Sequence, residues 1–127
     1  MRANELTEII IGAAIEVHKA LGPGLLESAY LVCIRKELTL RGVPFTYEVP
    51  LPVNYKGERL DCGYRVDMLV DGRIVVELKS VASLEPVHDA QLLTYLRLGG
   101  WNIGLLINFN VPVLKDGIRR RVMDWRE

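Results

Sequence analysis

Arg65-Val66-Asp67-Met68-Leu69-Val70-Asp71-Gly72-Arg73-Ile74-Val75-Val76-Glu77-Leu78-Lys79-Ser80 is the stretch that decides the fold of this chain. Two apolar runs flank Asp71-Gly72, a dipeptide that favours left-handed turn conformations, so the stretch reads as a β-hairpin. Leu60, Cys62, Tyr64, Val66 and Met68 alternate onto one face of the upstream strand. In the downstream strand Glu77 and Lys79 are two apart and project from the face opposite Ile74, Val76 and Leu78. The turn decides whether Asp67 joins them. A two-residue loop, Asp71-Gly72, pairs Asp67 with Val76 and points it away from Glu77. A three-residue loop, Val70-Asp71-Gly72, puts Gly72 at the left-handed position of a G1 bulge and pairs Asp67 with Val75. The second register also sets Met68 against Ile74, Val66 against Val76 and Tyr64 against Leu78. It is the register expected here, and it gathers Asp67, Glu77 and Lys79 on one face.

Upstream of the hairpin, Leu6, Ile10, Ala13, Ala14, Val17 and Leu21 recur at helical spacing, with Asn4 or Thr7 as candidate cap and Gly22-Pro23 as the stop. A second helix is expected from Leu25 to about Leu40, ended by Gly42. Phe45, Tyr47, Val49, Leu51, Val53 and Tyr55 then alternate with polar residues and prolines. Pro50 and Pro52 cannot donate to a ladder, which makes this a sheet-edge strand. Downstream, Pro86 opens a helix that Gly99-Gly100 closes. Ile103 to Ile107 is a continuous apolar run, as expected of an interior strand covered on both faces. A last hairpin around Asp116-Gly117 would pair Val113-Leu114 with Ile118 to Met123. The fold class is therefore α/β, a mixed sheet flanked by helices, with all of residues 1–127 in one domain and no linker or repeat.

Half of the 127 residues are apolar and a quarter charged, which excludes a disordered chain. Sixteen basic and sixteen acidic side chains cancel. A protein that grips long duplex DNA by neutralising phosphates is usually basic, so any nucleic-acid role must rest on a local site. Cys33 and Cys62 have no CxxC spacing and no ligand-spaced histidine, and read as buried thiols in a reducing cytoplasm. The short apolar stretch Ile9 to Ile15 lies between Glu8 and Glu16 and is no signal peptide. No apolar run approaches the roughly 20 residues that cross a bilayer. A cytoplasmic protein without membrane contact is expected.

Three places break the hydrophobic pattern with polar groups. Asp67, Glu77 and Lys79 are the first. Two carboxylates and an ammonium on one sheet face are costly to bury unless a cation or ligand offsets them. A hard divalent ion takes oxygen ligands, and Asp67, Glu77 and the Leu78 carbonyl are the candidates, with Lys79 beside them to stabilise charge on a phosphate. An exposed face with an ordinary cross-strand salt bridge is the competing reading. The second place is Glu27, which falls in line with Leu31, Ile34 and Leu38 at the head of an apolar helix stripe. It is either an acid favoured at a helix N-terminus or an acid aimed at the same metal. The third is Gln91 and Tyr95, four apart in the helix after the Glu-x-Lys strand, with His88 one turn before. They either flank a bound phosphate or merely belong to an amphipathic core face. His18 sits beside Ile11 and Ala14 and reads as a histidine at the edge of the core.

Taken together, these residues resemble a known family. Asp67 followed by Glu77-Leu78-Lys79 on consecutive strands resembles the PD-(D/E)XK nuclease superfamily, with Val66 standing where the name-giving motif has proline. Gln91-Leu92-Leu93-Thr94-Tyr95 resembles the QxxxY motif of that superfamily's RecB-like branch. Gly24-Leu25-Leu26-Glu27-Ser28-Ala29-Tyr30, led in by Val17 to Pro23, resembles the motif that names the GxxExxY family of small proteins within it. The resemblance implies a restriction-endonuclease-like αβββαβ core with an extra N-terminal helix and a C-terminal strand or hairpin. It implies that Asp67 and Glu77 hold Mg²⁺ or Mn²⁺, that Lys79 is the catalytic lysine, and that Glu27 supplies a further metal-site acid. Gln91 and Tyr95 correspond to the helix residues that flank the site.

The expected activity is Mg²⁺-dependent hydrolysis of nucleic-acid phosphodiester bonds, DNA or RNA, by a metal-activated water. A non-catalytic nucleic-acid-binding or protein-interaction module on the same fold is the alternative. Retention of Asp67, Glu77 and Lys79 counts against it, since a binding module has no need of the three. A homodimer would lengthen the binding track, but nothing in the sequence requires one. The three acids Glu27, Asp67 and Glu77 would be offset by the cation. Zero net charge then points to a short, metal-dependent backbone contact, not to tight binding along a duplex.

Overall fold

The computed structural model describes residues 1–124. Helix α1 (Ala3–Leu21) buries Leu6, Ile10, Ala13, Ala14 and Val17 on one stripe, as the spacing predicts. Neither Asn4 nor Thr7 caps it. Arg2 holds the cap position, and Thr7 bonds back to the Ala3 carbonyl at 2.9 Å. Helix α2 (Glu27–Leu40) buries Tyr30, Leu31, Ile34 and Leu38. No helix among the described residues is long and apolar enough to cross a membrane.

The expected edge strand is two pieces. Strand β1 (Phe45–Pro50) ends where Pro52 removes a ladder donor, and the short strands β2 (Val53–Tyr55) and β3 (Glu58–Leu60) form a separate hairpin. The long alternating strand drawn through Leu60 to Met68 is likewise interrupted. The Asp61 carboxylate accepts from the Gly63 N–H at 2.9 Å, a local turn that competes with the ladder. The chain re-enters the sheet as β4 (Arg65–Val70) and returns as β5 (Ile74–Lys79). Helix α3 (Pro86–Gly99) then crosses to β6 (Ile103–Asn108), which lies parallel to β5 and is buried on both faces. Strand β7 (Ile118–Val122) pairs antiparallel with β6. The sheet order is β1-β4-β5-β6-β7, so the proline-bearing strand is at an edge as expected.

The C-terminal hairpin does not form. Val113 precedes a 3₁₀ turn over Leu114–Gly117 that tucks Leu114 into the core, and the last strand pairs with β6 instead. The two cysteines are free, but only Cys33 is partly buried. Cys62 is exposed, because it lies in the turn that interrupts the expected strand and not within the sheet.

Helices α1 and α2 cover one face of the sheet over Met68, Val70, Ile74, Val76, Leu78, Leu105 and Ile107. Helix α3 covers the other over Val75 and Leu106. Its approach depends on Gly104: a β-carbon there would come within 2.7 Å of Leu92 Cδ1. Gly104→Val therefore costs about 1–3 kcal/mol of stability by overpacking, read as a lower midpoint in urea unfolding.

Candidate functional site

The β4–β5 hairpin has a three-residue loop, as expected, but the loop is Asp71-Gly72-Arg73. Asp71 and Gly72 both adopt positive φ, 54° and 65°, and the Arg73 N–H donates to the Val70 carbonyl at 3.0 Å. Val70 therefore pairs with Ile74, Leu69 with Val75 and Met68 with Val76. The expected register, Met68 on Ile74, is corrected by two residues. An even shift preserves the faces. It also sharpens the site, because the step beyond the Met68–Val76 pair brings Asp67 opposite Glu77.

At that step the ladder stops and side chains replace it. The Asp67 N–H donates to Glu77 Oε1 at 3.2 Å, and the Leu78 N–H donates to Asp67 Oδ2 at 2.8 Å. Each strand's free main-chain donor is taken by the other strand's carboxylate. On the far side of β4, Glu48 sits opposite Asp67 with φ 49°, rare for a residue with a side chain. Strict alternation would continue the Phe45 and Met68 face through Val49 and Val66, yet both of those pack on the α3 side. The β1–β4 ribbon thus kinks at the level of Asp67, an irregularity of the kind that re-aims side chains beside a site.

Glu77 is 5% exposed. Burial, followed by the charge of Asp67 and a hydrogen bond to it, pushes the Glu77 carboxyl from 4.5 up to about 9; Lys79 opposes this only weakly. Without a cation, the raised Glu77 carboxyl thus favours its neutral form beside Asp67. Tyr95 belongs to the same group. Its hydroxyl is pushed upward by burial, then by Glu77 and Asp67, and it accepts a hydrogen bond from Gln91 Nε2 at 3.0 Å. Asp67, Glu77, Lys79, Gln91 and Tyr95 thus gather on the α3 side of the sheet. His88, by contrast, is committed to the helix start, where its Nδ1 accepts from the Glu85 N–H at 2.9 Å.

Glu27 does not join the two other acids as a preformed cluster. It is exposed at the first turn of α2 and lines a cavity of about 500 Å³ with Gly24, Leu25, Ser28, Ser80 and Asn110. Among the described residues no three His, Cys, Asp or Glu side chains converge tightly enough to hold a metal ion. Two residues nonetheless fix the loop that leads into Glu27. The buried Tyr30 hydroxyl donates to the Gly22 carbonyl at 2.6 Å and accepts from the Leu25 N–H at 3.1 Å, with its ring stacked on Phe109. The Ser80 hydroxyl, one residue past Lys79, donates to the Leu25 carbonyl at 2.6 Å. The loop is therefore tied to the end of β5.

Asn108 belongs to no motif that singles it out in the sequence. It is 1% exposed, pairs in register with Lys79, and bonds both the N–H and the carbonyl of Val81 at 3.0 Å. It holds the chain leaving Lys79. A lone amide closing the apolar run of β6 was the available signal. His18 is where it was expected, buried at the core edge with Nε2 2.8 Å from the Val111 carbonyl.

The donor set suits a hard cation: oxygen atoms only, two carboxylates brought together across β4 and β5, and the Leu78 carbonyl between Glu77 and Lys79. A family model described as the PD-(D/E)XK nuclease superfamily matches residues 4–121. No curated protein and no solved structure matches the chain.

Proposed function

The chain belongs to the PD-(D/E)XK nuclease superfamily, and from that premise we propose that it hydrolyses nucleic-acid phosphodiester bonds with the aid of Mg²⁺ or Mn²⁺. The observation that carries the reading is the opposition of Asp67 and Glu77 where the β4–β5 ladder gives way to side chains. Asp67, Glu77 and the Leu78 carbonyl would hold the cation, with Glu27 reaching it from the first turn of α2. A bound divalent ion supplies Lewis acidity toward a phosphate oxygen and makes a water nucleophilic near neutral pH. Lys79 stabilises the charge that builds on the phosphate in the transition state. Tyr95 and Gln91 offer a hydroxyl and an amide to the substrate backbone from α3.

The narrower placement, in the GxxExxY group with a RecB-like helix, is supported by Gly24, Glu27 and Tyr30 and by Gln91 and Tyr95. In that motif Tyr30 fastens the loop and Glu27 is the member free to reach a ligand. The test is to incubate the purified chain with Mn²⁺ and with EDTA on single-stranded, duplex and flapped DNA and RNA. Cleavage of at least one substrate in Mn²⁺ and of none in EDTA is expected. Retention of nucleic acid without any cleavage would turn the assignment to the non-catalytic binding module.

A further inference from the structure

Beside the carboxylate pair lies a second cavity, of about 490 Å³, whose lining includes Tyr64, His88, Gln91, Thr94, Tyr95 and Arg97. Gln91 and Tyr95 thus serve both places: they wall this cavity, and Tyr95 feels the charges of Asp67 and Glu77. We propose that the cavity receives one unpaired nucleobase from the nucleotide next to the scissile phosphate, so that the substrate is a single strand or a frayed end. The proposal rests on the nuclease reading and narrows its substrate class.

Four features favour a base as the occupant. The cavity volume falls within the range of small-molecule sites. Its walls bring together two tyrosine rings, Tyr64 and Tyr95, with centroids 6.1 Å apart and tilted by 57°. Tyr64 is 45% exposed, so part of its ring is open to a stacking partner. Hydrogen-bonding groups interrupt the apolar lining. The Nδ1 of His88 is an acceptor to Glu85 N–H, which places the proton of the neutral ring on Nε2 as a donor. Gln91 gives its amide N–H to Tyr95 and keeps its carbonyl oxygen to accept from a base edge. Finally, Arg97 is exposed at this cavity to meet a phosphate, whereas Arg121 is held by Asp89 at 2.8 Å. With no net positive charge, the chain is better matched to one strand's base and phosphate than to a duplex surface.

The probe is a set of short single-stranded oligonucleotides, each with 2-aminopurine or an abasic nucleotide at one position, bound to the full chain in Ca²⁺ or Mn²⁺. One position is expected to lose fluorescence on binding, and an abasic nucleotide there should weaken binding about 10-fold, the scale of one base–aromatic stack. Tyr64→Ala should remove the quench and weaken binding similarly. Val87→Trp fills the same cavity from a residue that is 67% exposed, and should act alike without disturbing the core. Equal binding of every abasic oligonucleotide, or blunt duplex cut as fast as single strand, overturns the base site while leaving the nuclease reading standing. A position-specific quench without cleavage in Mn²⁺ overturns the nuclease reading and leaves the base site standing.

Discussion

Lys79→Ala should lower the proposed metal-dependent cleavage by about 10²–10³-fold, the usual loss when one preorganised group facing a developing negative charge is removed. Stability should hardly change. Lys79 ends β5 half-exposed and lies outside both apolar clusters. Glu77→Gln is the companion variant. Because burial and Asp67 already keep Glu77 protonated in the metal-free chain, an amide of the same shape preserves the neutral state and still offers an oxygen to the Asp67 N–H. It should fold as well as the parent, yet bind Mn²⁺ far more weakly in calorimetric titration and cut nothing measurable. A Lys79→Ala chain that cleaves within threefold of the parent removes lysine from the chemistry. A Glu77→Gln chain that takes up Mn²⁺ normally removes Glu77 from the metal site.

The second large effect is on stability against pH. The Glu77 carboxyl is raised from 4.5 in the unfolded chain to about 9 in the folded one, so between those values the folded state holds a proton that the unfolded state has released. The unfolded state then binds fewer protons, and stability falls with rising pH by up to about 1.4 kcal/mol per unit across that window. The loss is complete once pH passes the folded value. Burial contributes most to the effect, and Asp67, Lys79 and Tyr95 are the charged or titratable neighbours that adjust it. In EDTA the melting midpoint should drop from pH 6 to pH 9. At pH 8–9, millimolar Mn²⁺ should restore it by mass action, and Glu77→Gln should flatten the profile. Parallel pH profiles for parent and variant would show that Glu77 is not the titrating group.

The element order was legible because periodicity carries it. The two N-terminal helices, the proline-marked edge strand, the interior β6 run and the Pro86-led helix are all present. Competition from local side chains escaped the pattern. The Asp61–Gly63 turn breaks a strand whose alternation looked continuous, and burial of Leu114 draws Val113-Leu114 away from a hairpin. The shared face of Asp67, Glu77 and Lys79 was legible, but their register and the separation of Glu27 from them were not. Parity alone put Asp67, Glu77 and Lys79 on one face, and parity survives a two-residue slip. Which residue stands opposite Asp67 depended on leaving Arg73 unpaired, which composition does not reveal. The kink at Glu48 was also invisible, since a glutamate in a strand advertises no left-handed backbone.

The carboxylates of Asp67 and Glu77 stand in for the missing rung between β4 and β5, and this ties the architecture to the chemistry. Cutting Asp67 back to alanine deprives the Leu78 N–H of its acceptor as well as the proposed cation of a ligand, so an inactive Asp67 variant would say little about catalysis by itself. The amide hydrogens of Asp67 and Leu78 are correspondingly shielded by side chains and not by a neighbouring main chain. Their rate of exchange with deuterium becomes a local gauge of whatever those two acids are holding, a proton or an ion, legible without any substrate at all.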